Sequence, residues 1–352
     1  MTESYSHVVR FVQETPWAIL PATLDTIVEV LQLRARGDRF SPDEIRQRVG
    51  AQRPADPAPK LTGDIAVLPL HGILSQRMNL MTAMSGGTST EKFTGLFQAA
   101  VADPAVGVIV LDVDSPGGSV FGIPELSDVL AKQRGGKPVV AVANSLAASA
   151  AYWIASQADE LVVTPSGQVG SIGVIRTHED LTGMAAQQGV KVTYITAGKF
   201  KAEDAAFRPL TDEAQAAMQR QVNAYYDLFA KAVARGREVS PADVRGGFGE
   251  GRAVGAAEAL KLDMVDRIET LPQALARLQT PGAIVQLRAS ARLRALERSD
   301  PAAALQARRE RARAARSVPV VLPVIERPAS VVAAVAPAPP PPDTLPTGWR
   351  PR

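Results

Sequence analysis

The sequence has no cysteine, only three histidines, and aromatic side chains at 5% of its 352 positions. The first absence excludes disulfide scaffolds, thiol nucleophiles and cysteine metal sites. His7, His71 and His178 lie far apart and show no ligand spacing such as HExxH, which argues against a zinc hydrolase. Long apolar runs are also missing. The most apolar stretch, Val139 to Val163, is broken by Asn144, Ser145, Ser149, Gln157, Asp159 and Glu160. A spanning helix needs ~20 mostly apolar residues, so this stretch reads as buried core. Residues 1–17 lack a basic region followed by an apolar run, so no secretory signal is read there. The expectation is a cytoplasmic chain that uses no membrane. Neither charge sign dominates: 39 Lys+Arg against 36 Asp+Glu give +3. A pI near 9.2 is therefore no argument in itself for nucleic acid.

Hydrophobic residues make up 46% and charged residues 21%, so a sizeable core is possible. The length suits two domains, or one large domain with appendages. Residues 1–50 read as helical, with Leu24, Ile27, Val28 and Leu31 on one face and Gly37 as a stop. A second helix opens at Ser41-Pro42-Asp43-Glu44, where Ser41 and Glu44 form a capping box. A Pro/Ala linker follows over 51–60. Asp64–Leu70 reads as a strand, and Thr88 with Glu91 as a capping box for a helix carrying Phe93, Leu96, Phe97, Ala100 and Val101. Val106–Val113 and Pro138–Ala143 read as strands covered on both faces. Between them lies a helix with Leu126, Val129 and Leu130. An Ala-rich helix near 147–157 precedes strands at Leu161–Thr164 and Val192–Ile195. Thr211–Arg237 reads as a long helix with Met218, Val222, Tyr225, Phe229 and Val233 inward. Strands alternating with helices predict an α/β layer fold with largely parallel strands. Three regions are expected: a helical extension and linker over 1–60, a main domain over 61–278, and a low-complexity tail over 279–352. The tail is Ala/Arg-rich from Arg288 to Arg316 and Pro/Ala/Val-rich beyond, a composition that cannot build a packed core.

Three segments can carry chemistry. In Asp112-Val113-Asp114-Ser115-Pro116-Gly117-Gly118-Ser119, a buried strand ends in paired glycines, where free N–H groups can meet an oxyanion. A tight β-to-α turn explains the same residues. In Ala147-Ala148-Ser149-Ala150-Ala151-Tyr152-Trp153, Ser149 stands among small residues at a helix start, which favours developing negative charge. A packed small residue is the plainer explanation. Thr196 to Glu203 carries Lys199 and Lys201 after the expected strand, where lysines are ordinarily solvated. Together the segments say more. A nucleophilic serine needs a base, and neither His71 nor His178 has an acid partner in view. A lysine can serve if desolvation brings its pKa toward neutrality.

SPGGSV (115–120), AASAAYWIA (147–155), GQVGSIGVI (167–175), GKFKAEDAAFRPLT (198–211) and GRAVGAAEALKLDMVD (251–266) occur in that order. This set resembles the signal peptide peptidase A family of serine peptidases, over about residues 63–275. The resemblance implies a crotonase/Clp-protease-like fold and a Ser/Lys dyad that needs no metal, nucleotide or other cofactor. Position by position, it makes Ser149 the nucleophile and Lys201 the general base. Ser171 orients the lysine amine, and the N–H groups of Gly118 (or Gly117) and Ala150 form the oxyanion hole. Ala150 and Ala151 stand where the family usually has two glycines, and the N–H of Ala150 survives that change. Lys199 falls two residues early.

The N-terminal segment PWAILPATLDTIVEVLQLRARGDRFSPDEIRQRVG, followed by IAVLPLHGIL, resembles the tailed-phage head-maturation branch of that family. The resemblance implies cleavage of scaffold, portal or capsid proteins in the host cytoplasm or prohead interior. It also implies a homo-oligomeric ring in which neighbouring protomers share each site. A host cytosolic peptidase of the same family is the nearest alternative. A crotonase-fold acyl-CoA enzyme and a catalytically relict assembly protein are others. Arg308, Arg309, Arg311, Arg313 and Arg316 are interrupted by Glu310 and have no interleaved aromatic, so they read as a solvated face rather than a nucleic-acid site.

Overall fold

The computed structural model describes residues 15–48, 59–77, 87–280 and 282–287, apart from Gly37, Arg39 and Gly135, together with Val12 and Ala289. The chain divides into two units, 1–300 and 301–352, and all described residues belong to the first. The readings made for residues 1–11, for the linker up to Ala58 and for the tail beyond Ala289 lie outside the described residues.

The described elements begin with β1 (Trp17–Ile19), α1 (Pro21–Ala35), α2 (Pro42–Arg48), β2 (Lys60–Thr62), β3 (Ile65–His71), β4 (Leu74–Ser75), β5 (Thr88–Ser89) and α3 (Thr90–Ala102). Then come β6 (Val108–Ser115), β7 (Gly117–Ser119), α4 (Ile123–Gln133), β8 (Val139–Ala148), α5 (Ala150–Ala155), β9 (Glu160–Val163) and β10 (Gln168–Gly170). The last are α6 (Thr182–Gln187), α7 (Asp212–Arg237), α8 (Pro241–Gly247), β11 (Ala253–Gly255), α9 (Ala256–Lys261), β12 (Arg267–Ile268) and α10 (Leu271–Leu278).

The α/β expectation holds. β3, β6, β8 and β9 are parallel neighbours, and β12 adds in parallel to β9. β2 and β11 join antiparallel, against β3 and β10. The first halves of the central strands β6 and β8, Val108–Leu111 and Val139–Ala143, read as apolar runs because both faces are covered. Ile109, Leu111 and Val113 enter a cluster with Phe93, Phe97, Leu126, Leu130, Trp153 and Phe229. The alternate residues Val108 and Val110 meet Val140, Val142, Ala274 and Leu278 on the other face. Each fully buried aliphatic side chain contributes roughly 1.5–3 kcal/mol. β8 divides one edge between two strands: Val140–Ala143 pair with β9, and Leu146–Ala148 pair with β10. β4, β5, β7 and β1 form a second, smaller sheet.

Several local readings change. The N-terminal region is not helical throughout, because Trp17–Ile19 forms a strand with pairing edges on both sides. The expected α1 face does pack, with Leu24, Ile27, Val28 and Leu31 against Trp17, Ile19 and Ile73. The α2 capping box is present: Glu44 N–H donates to Ser41 Oγ at 3.2 Å, and Ser41 N–H to the Glu44 carboxylate at 2.7 Å. The cap of α3 is Ser89 rather than Thr88. The Thr88 hydroxyl is used instead on the His71 backbone, donating to its carbonyl at 2.7 Å. Val192–Ile195 is not a strand, and Ile195 is 96% exposed. Its alternating pattern finds no strand edge within the described residues. In α7, Phe229 and Val233 are buried as expected, while Met218, Val222 and Tyr225 are only partly covered. No described helix is long and apolar enough to cross a membrane.

A single side chain closes the end of α5. Arg134 donates to the carbonyls of Gln157 (2.9 Å), Ala158 (2.8 Å), Gly236 (2.6 Å) and Ser156 (3.3 Å). These are carbonyls near the C-termini of α5 and α7, which lack partners inside their own helices. Arg134→Ala strips several buried acceptors at once and is expected to lower stability by about 3 kcal/mol. Arg77→Ala, which removes an exposed pair with Glu91, is expected to change it by less than about 0.5 kcal/mol. Urea unfolding midpoints of the two variants provide the check.

Candidate active site

Ser149 sits in the single-residue passage from β8 into α5, at φ 53° and ψ −117°. A non-glycine residue held there costs of order 1–3 kcal/mol, so its surroundings must impose it. They do so through the backbone: Ser149 N–H donates to Gly170 O at 2.6 Å, and its carbonyl accepts from Trp153 N–H at 2.9 Å. The first of these bonds follows from register, since β10 runs parallel to β8 and aligns Gly170 with Ala148. The side chain is 1% exposed. Its hydroxyl lies 3.5 Å from Gly173 O, the one hydrogen bond it makes among the described residues. Ala150 opens α5, so its N–H has no partner inside the helix and lies beside Ser149.

The paired glycines form β7, directly after β6. Ser115 Oγ donates to Gly72 O at 2.6 Å and accepts the Gly117 N–H at 3.1 Å. That bond occupies one of the two expected glycine donors and favours Gly118 as the other. Close approach explains why both positions are glycine. A Cβ on Gly117 would stand 2.2 Å from Ala18 O and 3.1 Å from Ala148 O, and one on Gly118 would stand 1.9 Å from Leu74 O. The Gly turn, β1 and the strand end before Ser149 therefore meet at one point.

Ser171 follows Gly170, whose carbonyl grips Ser149, so one short stretch carries both residues. Ser171 also has a positive φ, 51°, and its N–H donates to Arg252 O at 2.8 Å. Among the described residues, Lys201 makes no hydrogen bond to either serine. It is exposed, and its backbone N–H bonds Gly198 O at 3.1 Å. Lys199 pairs with Glu213 at 3.1 Å in an exposed position, over the Phe200 ring. Residues 189–201 are exposed throughout, Val190, Val192, Tyr194, Ile195 and Phe200 among them.

One buried polar group escaped sequence reasoning. His71 does have an acid partner: its Nε2 lies 3.1 Å from Asp112 Oδ2, and Asn144 Nδ2 donates to Asp112 Oδ1 at 3.0 Å. The three residues come from adjacent strands or their ends, and none bonds Ser149. The available signal was an acidic residue, Asp112, inside an otherwise apolar run, with His71 at the end of another. Among the described residues, no cluster of three or more His, Asp or Glu could hold a metal ion. Behind α5, burial pushes the Tyr152 phenol well up, and its hydroxyl donates to Met264 O at 2.8 Å. Burial opposes the nearby Arg237 charge, yet Asp266, bonded twice at 2.9 and 3.0 Å, raises that guanidinium above its ordinary range.

This geometry can be set beside known proteins. The chain is similar to the head-tail preconnector protein GP5 of Enterobacteria phage P21, 36% identical over 213 residues, 60% of this chain and 42% of that protein. It is similar to capsid assembly protease C of Escherichia phage lambda, 36% identical over 169 residues, 48% of this chain and 38% of that protein. The chain thus spans about two fifths of the length of these relatives. Among solved structures it is similar to a ClpP1 variant from Listeria monocytogenes, with TM-score 0.35, 11% identity, and 62% of this chain and 94% of that chain covered. Residues 131–285 match the model of Peptidase family S49. That stretch of the chain is therefore similar to Peptidase family S49, and Ser149, Ser171 and Lys201 all fall within the matched residues.

Proposed function

We propose that this chain is a serine endopeptidase of phage head assembly, with Ser149 as nucleophile and Lys201 as general base. The observation that carries the reading is the strained, backbone-gripped Ser149 at a helix start, inside the stretch similar to Peptidase family S49. The relatives named a head-tail preconnector protein and a capsid assembly protease support a role on scaffold, portal or capsid proteins. In the proposed reaction, Ser149 Oγ attacks a peptide carbonyl while the Lys201 amine takes its proton. The same amine then protonates the leaving nitrogen, and water hydrolyses the acyl-enzyme. The N–H groups of Gly118 and Ala150 meet the developing oxyanion, and Ser171 orients the amine.

Lys201 serves the Ser149 of a neighbouring copy in this reading. Support comes from the exposed run 189–201, which is apolar at Val190, Val192, Tyr194, Ile195 and Phe200 and ends at Lys201. A second copy would bury that surface and take the amine out of water. The occupant is thus another copy of this chain.

Ser149→Ala and Lys201→Ala are each expected to abolish cleavage of a co-expressed capsid substrate, read on gels. Undiminished processing by both would leave an assembly protein without this dyad. Mixing the two inactive chains before assembly should restore about a quarter of wild-type activity, the share of shared sites that draw an intact residue from each neighbour. A site complete in one chain would recover none. Ser149→Gly should unfold about 1 kcal/mol later than wild type while losing activity, because glycine relieves the positive φ. Ile195→Asp should yield monomers by analytical ultracentrifugation, with activity lost in parallel.

A further inference from the structure

The strand β1 lies between two parts of the candidate site. On one edge it runs antiparallel to the Gly turn, with Trp17 opposite Ser119, Ala18 opposite Gly118 and Ile19 opposite Gly117. On the other edge it pairs with Ile175, two residues beyond the Gly173 carbonyl that Ser149 faces. Trp17 and Ile175 exchange both backbone bonds, each 2.8 Å. Leu20 N–H reaches Pro116 O at 2.9 Å, and Val120 N–H reaches Pro16 O at 3.1 Å. Antiparallel pairs alternate between bonded and unbonded, so Ala18 and Gly118, midway between those two contacts, form a bonded pair. The Ala18 carbonyl therefore takes the Gly118 N–H, the donor assigned above to the oxyanion.

Side chains agree with backbone. Trp17 and Ile19 join the N-terminal cluster with Leu24, Ile27 and Leu31, whereas Ala18 turns the other way and is enclosed in the main core at 0% exposure. Ser149 itself is 1% exposed. A nucleophile this covered meets no protein substrate until something moves.

We propose that the groove between Gly117–Ser119 and Gly173–Ile175 is the peptide-binding cleft, and that Trp17–Ile19 is its resident occupant, held in the register of a substrate. Ala18 stands where the residue on the N-terminal side of the cleaved bond belongs. The cleft takes its ligand as an added strand, main chain bonded on both edges, and selects a small side chain at the position of Ala18. Substrates are extended segments with such a residue, and β1 must leave before they enter. This inference rests on the peptidase reading.

The chain has no cysteine, so a full-length Trp17→Cys/Ile175→Cys variant carries only the introduced pair. A bonded antiparallel pair sets the Cα atoms about 5.5 Å apart, within disulfide range. The assembled protein is treated with a fluorophosphonate, and labelling of Ser149 is followed by mass spectrometry. The oxidised, locked form should label about tenfold more slowly than the reduced form. A fluorescent PWAILP peptide should bind the reduced form and not the oxidised one. Equal labelling in both redox states overturns the occupant while leaving Ser149 a reactive serine. Peptide binding that follows the lock, with Ser149 unlabelled in wild type and variant alike, supports the cleft and sinks the peptidase reading. Should the double variant fail to fold, Ala18→Pro serves instead. It removes the N–H that Ala18 gives Gly118 and should raise the labelling rate over wild type, and an unchanged rate counts against the proposal.

Discussion

At the end of β8 the chain turns from strand to helix across one residue, and the Ser149 N–H is held there by Gly170 O at 2.6 Å. That bond exists because β10 pairs in parallel with the last part of β8. It holds Ser149 in a backbone conformation that no residue with a side chain adopts freely. From that constraint follow the start of α5, the position of the Ala150 N–H and the facing of Ser149 toward Gly173. The buried sheet supplies the rigidity: Ala147 and Ala148 are fully enclosed, so the turn cannot relax by sliding the strand.

Much of the sheet was legible from residue type. Val108–Leu111 and Val139–Ala143 are apolar residue after residue because both faces are covered, and that leaves a run no solvent-facing element would carry. The α1 stripe and the Ser41 cap were legible for similarly local reasons. The misses share a cause, which is that pairing partners are distant. Trp17–Ile19 is three residues long and owes its state to β7, about a hundred positions away. Val192–Ile195 has the residue types of a strand and no edge to join. Motif order singled out Ser149, Ser171 and the Gly turn as candidates. The positive φ of both serines, the Ser115 bond that occupies Gly117 and the His71–Asp112 contact across 41 residues arise only from register.

Ser149 and Lys201, the proposed nucleophile and base, differ sharply in surroundings. Ser149 lies in a packed corner built from β6, β7, β8 and β10. Lys201 belongs to an open stretch whose apolar side chains face solvent. In the proposed shared site, one polypeptide would supply the packed half and a neighbouring copy the open half. Under the proposed reading, chemistry coupled to assembly in this way would keep isolated chains inert.

The clamp at the far end of α5 has a different consequence. The four carbonyl oxygens that Arg134 holds there belong to the main chain, and the Glu238 carboxylate stands 3.9 Å from the same guanidinium. The clamp therefore recognises path length rather than residue identity. Exchanging a side chain at Ser156, Gln157 or Ala158 leaves its acceptors where they were, whereas a Cβ on Gly236 would stand 2.1 Å from Ser156 O. Inserting or deleting a single residue between Trp153 and Asp159 would carry them out of reach, so drift in this corner is confined to substitution.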